Sequence, residues 1–86
     1  MSRHQLHANK LTAFAHWLAE QGWIEFPVRG DYEVLRMKRE VRGEGWLIVH
    51  RRLTVDVRPG HEHGHLTLHG ESERWFQKWM ATRRSA

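Results

Sequence analysis

The segment from Trp46 to Val57 has the clearest alternation of apolar and polar residues in the chain. One face is apolar except for Arg51, and its other members are Leu47, Val49, Leu53, Val55 and Val57. The other face consists of Trp46, Ile48, His50, Arg52, Thr54 and Asp56. This period of two, together with the β-branched and aromatic content, predicts a long strand. We expect this strand to lie centrally in a small sheet, with one face on the core.

Two segments have the apolar spacing of helices. The first begins at Lys10 and ends before Gly22, which suits the residue that follows a helix. Its stripe at i, i+3, i+4 and i+7 consists of Leu11, Phe14, Ala15 and Leu18. The second runs from about Glu71 to Arg84, and its apolar face consists of Trp75, Phe76, Trp79 and Met80. The polar residues 1–8 are either a flexible N-terminal arm or the start of the first helix.

Two further strands complete the prediction. They cover Tyr32 to Val41 and His65 to His69, and a glycine-containing turn at residues 42–45 joins the first of them to the long strand. Pro27 excludes a central strand from the segment 23–30. The fold is therefore a single small α+β domain spanning residues 1–86. Its order is helix, three-stranded antiparallel meander, helix (α-β-β-β-α), with both helices on one sheet face.

That arrangement predicts which residues form the core. The helix residues expected there are Leu11, Phe14, Leu18, Trp75 and Trp79, and the sheet residues are Leu35, Met37, Leu47, Val49 and Leu66. The opposite sheet face would then remain open, with cationic residues among aromatic and β-branched ones. It would carry Tyr32, Val34, Arg36, Lys38, Trp46, Ile48, His50, Arg52, His65, Thr67 and His69.

Such a face has three interpretations. Exposed rings can stack on bases while Arg and Lys neutralise phosphates, which suits single-stranded nucleic acid. Trp, Tyr and Arg also dominate protein interfaces, and an ordinary solvated face would look similar. The candidate residues for binding a partner or nucleic acid are Tyr32, Arg36, Lys38, Trp46, His50, Arg52 and His65, with Arg74 and Lys78 from the second helix.

Composition narrows the class of protein. The net charge of +4 and the pI of about 10.3 favour an acidic partner, either nucleic acid or an acidic protein surface. The chain contains no cysteine, which fits a reducing cytoplasm. No apolar run approaches the roughly 18 residues of a membrane span, so we expect no membrane contact. The expected assembly is a monomer or a homodimer formed through sheet edges or the open face.

Metal binding and catalysis have little support in the sequence. His61, His63 and His65 alternate, so they could point the same way and bind Zn²⁺. The run lacks a distant ligand and an evident set of residues that would orient the imidazoles, which favours adventitious binding or an exposed polar turn. No nucleophilic cysteine, nucleophile-elbow motif or glycine-rich phosphate loop is present. We therefore expect neither a cofactor nor an enzymatic activity.

The element order is also that of the double-stranded-RNA-binding domain. That family has a lysine-rich run at the start of its second helix, where this chain has two acids in Gly70 to Arg74. Binding of duplex RNA in that mode is therefore not expected.

A second resemblance covers Ala13 to Arg84. The runs AFAHWLAEQGW, GDYEVLRMKR, LIVHRR and HLTLHG, followed by a basic C-terminal helix, resemble small uncharacterised accessory proteins of bacteriophages and prophages. The His-rich connection before His65 departs from that pattern. The resemblance implies a phage-encoded, non-enzymatic protein that binds and inhibits a host defence or regulatory complex, as anti-CRISPR inhibitors do. The alternative function is direct nucleic-acid binding by the open sheet face.

Overall fold

The computed structural model describes residues 5–57 and 64–85. The strands are β1 (Gln5–His7), β2 (Ile24–Phe26), β3 (Glu33–Arg42), β4 (Ile48–Asp56) and β5 (His65–Gly70). The helices are α1 (Leu11–Glu20) and α2 (Ser72–Ser85), and a 3-10 turn over Ala8–Lys10 precedes α1.

The strands form one antiparallel sheet in the order β1-β5-β4-β3-β2. The α+β class with two helices is confirmed, but the three-stranded meander is wrong because the sheet has five strands. The two additional strands are β1 and β2, each three residues long at an edge. Three residues are too few to show a period of two, and Pro27 directly follows β2, as an edge position permits.

Residues 5–8 have a more definite structure than an arm. Residues 5–7 form β1, whose Leu6 is fully buried opposite Leu66 of β5. Ala8 begins the 3-10 turn, so α1 starts one residue later than predicted. Residues 1–4 lie outside the described part of the chain.

The core lies between one sheet face and both helices. Its buried apolar residues are Leu6, Phe14, Leu18, Trp23, Leu35, Met37, Leu53, Val55, Leu66, Leu68, Trp75 and Trp79. Aromatic rings join the two helices, because the Phe14 ring lies 5.6 Å from that of Phe76 and 5.4 Å from that of Trp79. Large rings bury about 150–250 Å² each, which helps a chain of 86 residues to form a stable core.

The helices do not cover the whole length of the sheet. Pairing of β4 with β5 stops at Leu53 and Gly70, and pairing of β2 with β3 stops at Ile24 and Lys38. Beyond these rows, β3 and β4 pair only with each other among the described residues, in a two-stranded ribbon that we call the distal hairpin (residues 39–52). Its β4 side extends about 15 Å past the five-stranded part, judged from the rise per residue.

The projection of the distal hairpin corrects two sequence predictions. Leu47 is 55% exposed instead of buried, and Val49 is only partly buried. Trp46 and Leu47 belong to the turn, since β4 begins at Ile48. The alternation of residues had placed them on a strand, but it does not reveal where the helices stop covering the sheet.

Candidate binding surface

From Leu35 to Arg42 the register of β3 on β4 confirms the two faces that the alternation predicts. The register shifts between Glu33 and Leu35, so Glu33 instead of Val34 lies opposite a β4 residue, Asp56. Arg36 lies opposite Thr54 and Lys38 lies opposite Arg52, on the side away from the helices. The edge strand β2 adds two apolar residues to this open face, because Ile24 pairs with Lys38 and Phe26 with Arg36. The Lys38 ammonium lies 4.5 Å from the centre of the Phe26 ring.

Carboxylates on the open face contact several of its basic side chains. The Arg36 guanidinium donates two hydrogen bonds to Glu33, at 2.6 and 2.8 Å. His69 Nε2 lies 3.1 Å from Asp56 Oδ2, and His50 Nδ1 lies 3.8 Å from Glu40 Oε1. The positive potential of this face is therefore lower than the sequence suggested.

The Glu33–Arg36 pair is the strongest of these contacts. The hydrogen bonds from Arg36 lower the pKa of the Glu33 carboxyl, and the backbone N–H of Arg29 contributes in the same direction. The same pair raises the pKa of Arg36 above its ordinary value. Arg36 is thus committed to an internal contact near the start of β3 and is a poor candidate for contacting a partner.

The exposed rings do not form one stacking surface. Tyr32 is 55% exposed just before β3, whereas Trp46 is 90% exposed in the turn at the opposite end of the hairpin. The ten residues of β3 separate them, which corresponds to about 33 Å of strand. A short single strand of nucleic acid could not stack on both rings at once without following the entire strand.

The apolar residues of the distal hairpin concentrate at its tip. Trp46, Leu47 and Ile48 are consecutive and each is more than half exposed. The turn that presents them is closed by a hydrogen bond of 2.8 Å from Gly43 N to Leu47 O, and Gly45 adopts a positive φ of 66°. Three exposed apolar side chains on a projecting turn contribute little to the core.

Arginines surround the base of the distal hairpin. Arg51, Arg52 and Arg74 line a shallow depression of about 470 Å³ together with His50, Gly70 and Glu71. Glu71 lies 3.9 Å from both Arg51 and Arg74. Of the predicted site residues, the structure thus brings His50, Arg52 and Arg74 together.

Other predicted site residues lie elsewhere. Lys78 is on the helix side, where its ammonium lies 4.3 Å from the Trp75 ring centre and supports the core. His65 packs edge-on against His7, with 5.4 Å between ring centres. His61 and His63 lie outside the described residues, so the His61–His63–His65 metal site is not described. Within residues 5–57 and 64–85, no group of three possible ligands is close enough to hold a metal ion.

Sequence reasoning did not single out Arg39 and Arg51, of which only Arg51 lines the depression. They pair across β3 and β4 on the face that is otherwise apolar. Arg39 Nε donates to Gln21 O at 3.1 Å and the guanidinium lies 5.0 Å from the Trp75 ring centre, whereas Arg51 faces the depression. The pair of arginines on the face that is apolar at Met37 and Leu53 indicates that the strands extend past the core at this row.

The chain matches no protein-family model, and no curated protein or solved structure matches it. None of the helices in the described ranges is long and apolar enough to cross a membrane.

Proposed function

We propose that the protein is a non-enzymatic binding protein that docks on an acidic surface of a protein partner through its distal hairpin. The observation that carries this proposal is the exposed apolar tip, Trp46 to Ile48, beside the arginine-lined depression. Contiguous exposed apolar residues with a polar rim are typical of protein interfaces. Trp and Arg are also the residues most often found to dominate binding energy.

The resemblance to bacteriophage and prophage proteins suggests the setting. In that setting the partner is a host defence or regulatory complex, and binding inhibits it as an anti-CRISPR protein would. A hairpin that projects beyond its sheet suits this role, because it can enter a groove on a larger assembly while the helices remain outside.

Direct nucleic-acid binding by the open sheet face is the alternative function. It is favoured by one observation, the row in which Lys38 and Arg52 lie opposite each other beside the Phe26 ring. Glu33, Glu40 and Asp56 count against it, because they place negative charge on the same face.

The test compares three forms of the purified protein as bait in lysate of a bacterial host. These are the wild type, Trp46→Ser and Tyr32→Ser. The first substitution removes an exposed ring from the tip of the distal hairpin, and the second removes one just before the opposite end of β3. Both substitutions lie outside the core, so we expect free energies of unfolding within about 0.5 kcal/mol of wild type. Trp46→Ser should lose a stoichiometric protein partner that Tyr32→Ser retains, with at least about thirtyfold weaker affinity for that partner once it is purified.

A titration with single- and double-stranded oligonucleotides at two salt concentrations separates the alternative. A phosphate-binding protein loses affinity steeply as salt increases, because counterions are released on binding. Tight, salt-sensitive oligonucleotide binding that survives Trp46→Ser would favour the open sheet face over the distal hairpin. Equal capture of partner by all three baits would also contradict the proposal.

A further inference from the structure

The β4 edge of the distal hairpin has backbone groups that no described strand pairs. Pairing with β5 begins at Leu53, and the next contact along the edge is a hydrogen bond of 3.2 Å from Glu71 N to Arg52 O. Since backbone groups alternate in direction along an antiparallel strand, the N–H and C=O groups of His50 and Ile48 point to the same side as the Arg52 carbonyl. They face outward, away from β3.

The path of β5 would continue along this edge if the chain did not turn away. Gly70 has a φ of +64°, and α2 begins two residues later. The space beyond Gly70 is the depression described above, with Arg52 and His50 on the open-face side. Arg51 and Arg74 border it on the helix side. The opening therefore has the position of a missing strand.

The positive charge around this opening favours an acidic segment as its occupant. Three arginines line it against a single carboxylate, that of Glu71. The carboxylate is shared between Arg51 and Arg74 at the long distance of 3.9 Å, so neither cation is tightly paired. An extended segment with acidic side chains would meet a cation on each of its two faces.

We propose that the β4 edge at residues 48–50, next to the Arg52 carbonyl that already accepts from Glu71 N, binds an extended acidic segment of the protein partner as an added strand. Side chains alternate along such a segment, so acidic residues on one side would reach Arg52 and His50 and those on the other side Arg51 and Arg74. Strand addition of this kind derives affinity from backbone hydrogen bonds and specificity from alternate side chains. This inference rests on the proposed function and identifies the part of the partner that is bound.

A defined peptide tests the backbone part of the inference. The probe is the eight-residue peptide Val-Glu-Glu-Val-Val-Glu-Glu-Val with both ends blocked, which places two glutamates on each face when it is extended. It carries a fluorescent label, and its binding is followed by anisotropy. His50→Pro removes the outward N–H at a position where an edge strand tolerates proline, whereas His50→Ala keeps it. We expect about tenfold weaker binding for His50→Pro and a change of less than about threefold for His50→Ala, since one hydrogen bond and the close approach of the peptide are lost.

A second proline locates the edge. Glu40→Pro removes an N–H on the outer side of β3, since Glu40 lies opposite His50 in the ladder and its backbone faces the other way. This variant should bind the probe like wild type. Circular dichroism of both proline variants checks that the hairpin is intact.

The charge part has its own matched control. One variant combines Arg51→Gln, Arg52→Gln and Arg74→Gln. We expect it to bind the probe at least about tenfold more weakly, because each exposed ion pair contributes up to about fivefold to the affinity. A variant in which Lys10, Arg29 and Arg83 become Gln has the same net charge and should bind the probe within about threefold of wild type.

Each remaining outcome has a defined meaning. Equal probe binding by His50→Pro and His50→Ala would overturn strand addition at this edge. If an oligonucleotide displaces the probe and its own binding weakens steeply as salt increases, the depression binds phosphodiesters instead of an acidic peptide. Dimerisation that excludes the probe as protein concentration increases would assign the edge to a second copy of the chain. If the probe fails to bind while Trp46-dependent partner capture persists, the edge inference is wrong and the proposed function stands.

Discussion

At the scale of single residues, Gly70 is the position on which the site most depends. Its φ of +64° is unfavourable for any residue with a Cβ, and a Cβ placed there would lie 2.8 Å from the carbonyl oxygen of Arg52. We expect Gly70→Ala to reduce the free energy of unfolding by about 2 kcal/mol or more, since the left-handed conformation alone costs about 1–2 kcal/mol. Urea denaturation followed by tryptophan fluorescence measures this loss.

Gly30 provides the control for Gly70. It also has a positive φ, of +79°, but a Cβ there would meet no atom within 4 Å. Gly30→Ala should therefore show the conformational cost without the clash. Equal losses for the two variants would mean that the contact between Gly70 and Arg52 does not constrain the junction of β5 with α2.

At the scale of elements, the burial of two apolar residues is the reverse of what the sequence predicts. Leu6 lies in a three-residue edge strand and is fully buried, whereas Leu47 lies beside the long central strand and is 55% exposed. We expect Leu6→Ala to cost about 2–5 kcal/mol of stability and Leu47→Ala to stay within about 0.5 kcal/mol. Thermal melts of both variants check this order, and a larger loss for Leu47→Ala would contradict it.

The long elements could be predicted because each repeats its pattern several times. The strand containing Leu53 and Val55 and the two helices follow from spacing alone, and their bounds differ from the structure by one or two residues. The short edge strands could not be predicted, because Leu6 and Ile24 become strand residues only through pairing with β5 and β3. Pairing between distant segments leaves no local periodicity to detect.

The candidate site was only partly predictable for the same reason. His50, Arg52 and Arg74 could be named from the alternation and the helix pattern, but their proximity depends on the row at which β5 ends. Lys78 looked equivalent to Arg74 in sequence and instead packs on Trp75. The sequence pattern does not show which cations pack on the helices and which remain available at the depression.

At the scale of the whole molecule, the structure divides into a covered half and a projecting half. The principal extents of 46 × 35 × 19 Å reflect this elongation. Hydrogen bonds near the tip of the distal hairpin can open without disturbing the core, because neither α1 nor α2 covers Trp46, Leu47 or Ile48. We therefore expect amide exchange to slow progressively along β4, with Val49 and Arg51 exchanging by local opening and Leu53 and Val55 approaching the global rate.

Hydrogen exchange followed by NMR measures this gradient residue by residue. All four amides point towards β3, so the comparison is made within one ladder. Uniform protection along β4 would contradict the division, since it would mean that the distal hairpin opens only when the whole domain unfolds.

The exposed tip has a consequence for how this sequence can diverge. Because Trp46, Leu47 and Ile48 contribute little to the core, substitutions among them escape the constraint that folding places on Leu6 or Phe14. The domain can thus act as a scaffold on which the turn is replaced while the framework is preserved. Under the proposed function, descendants of such a protein could exchange one target for another through a few changes at residues 46–48, at almost no risk to their own folding.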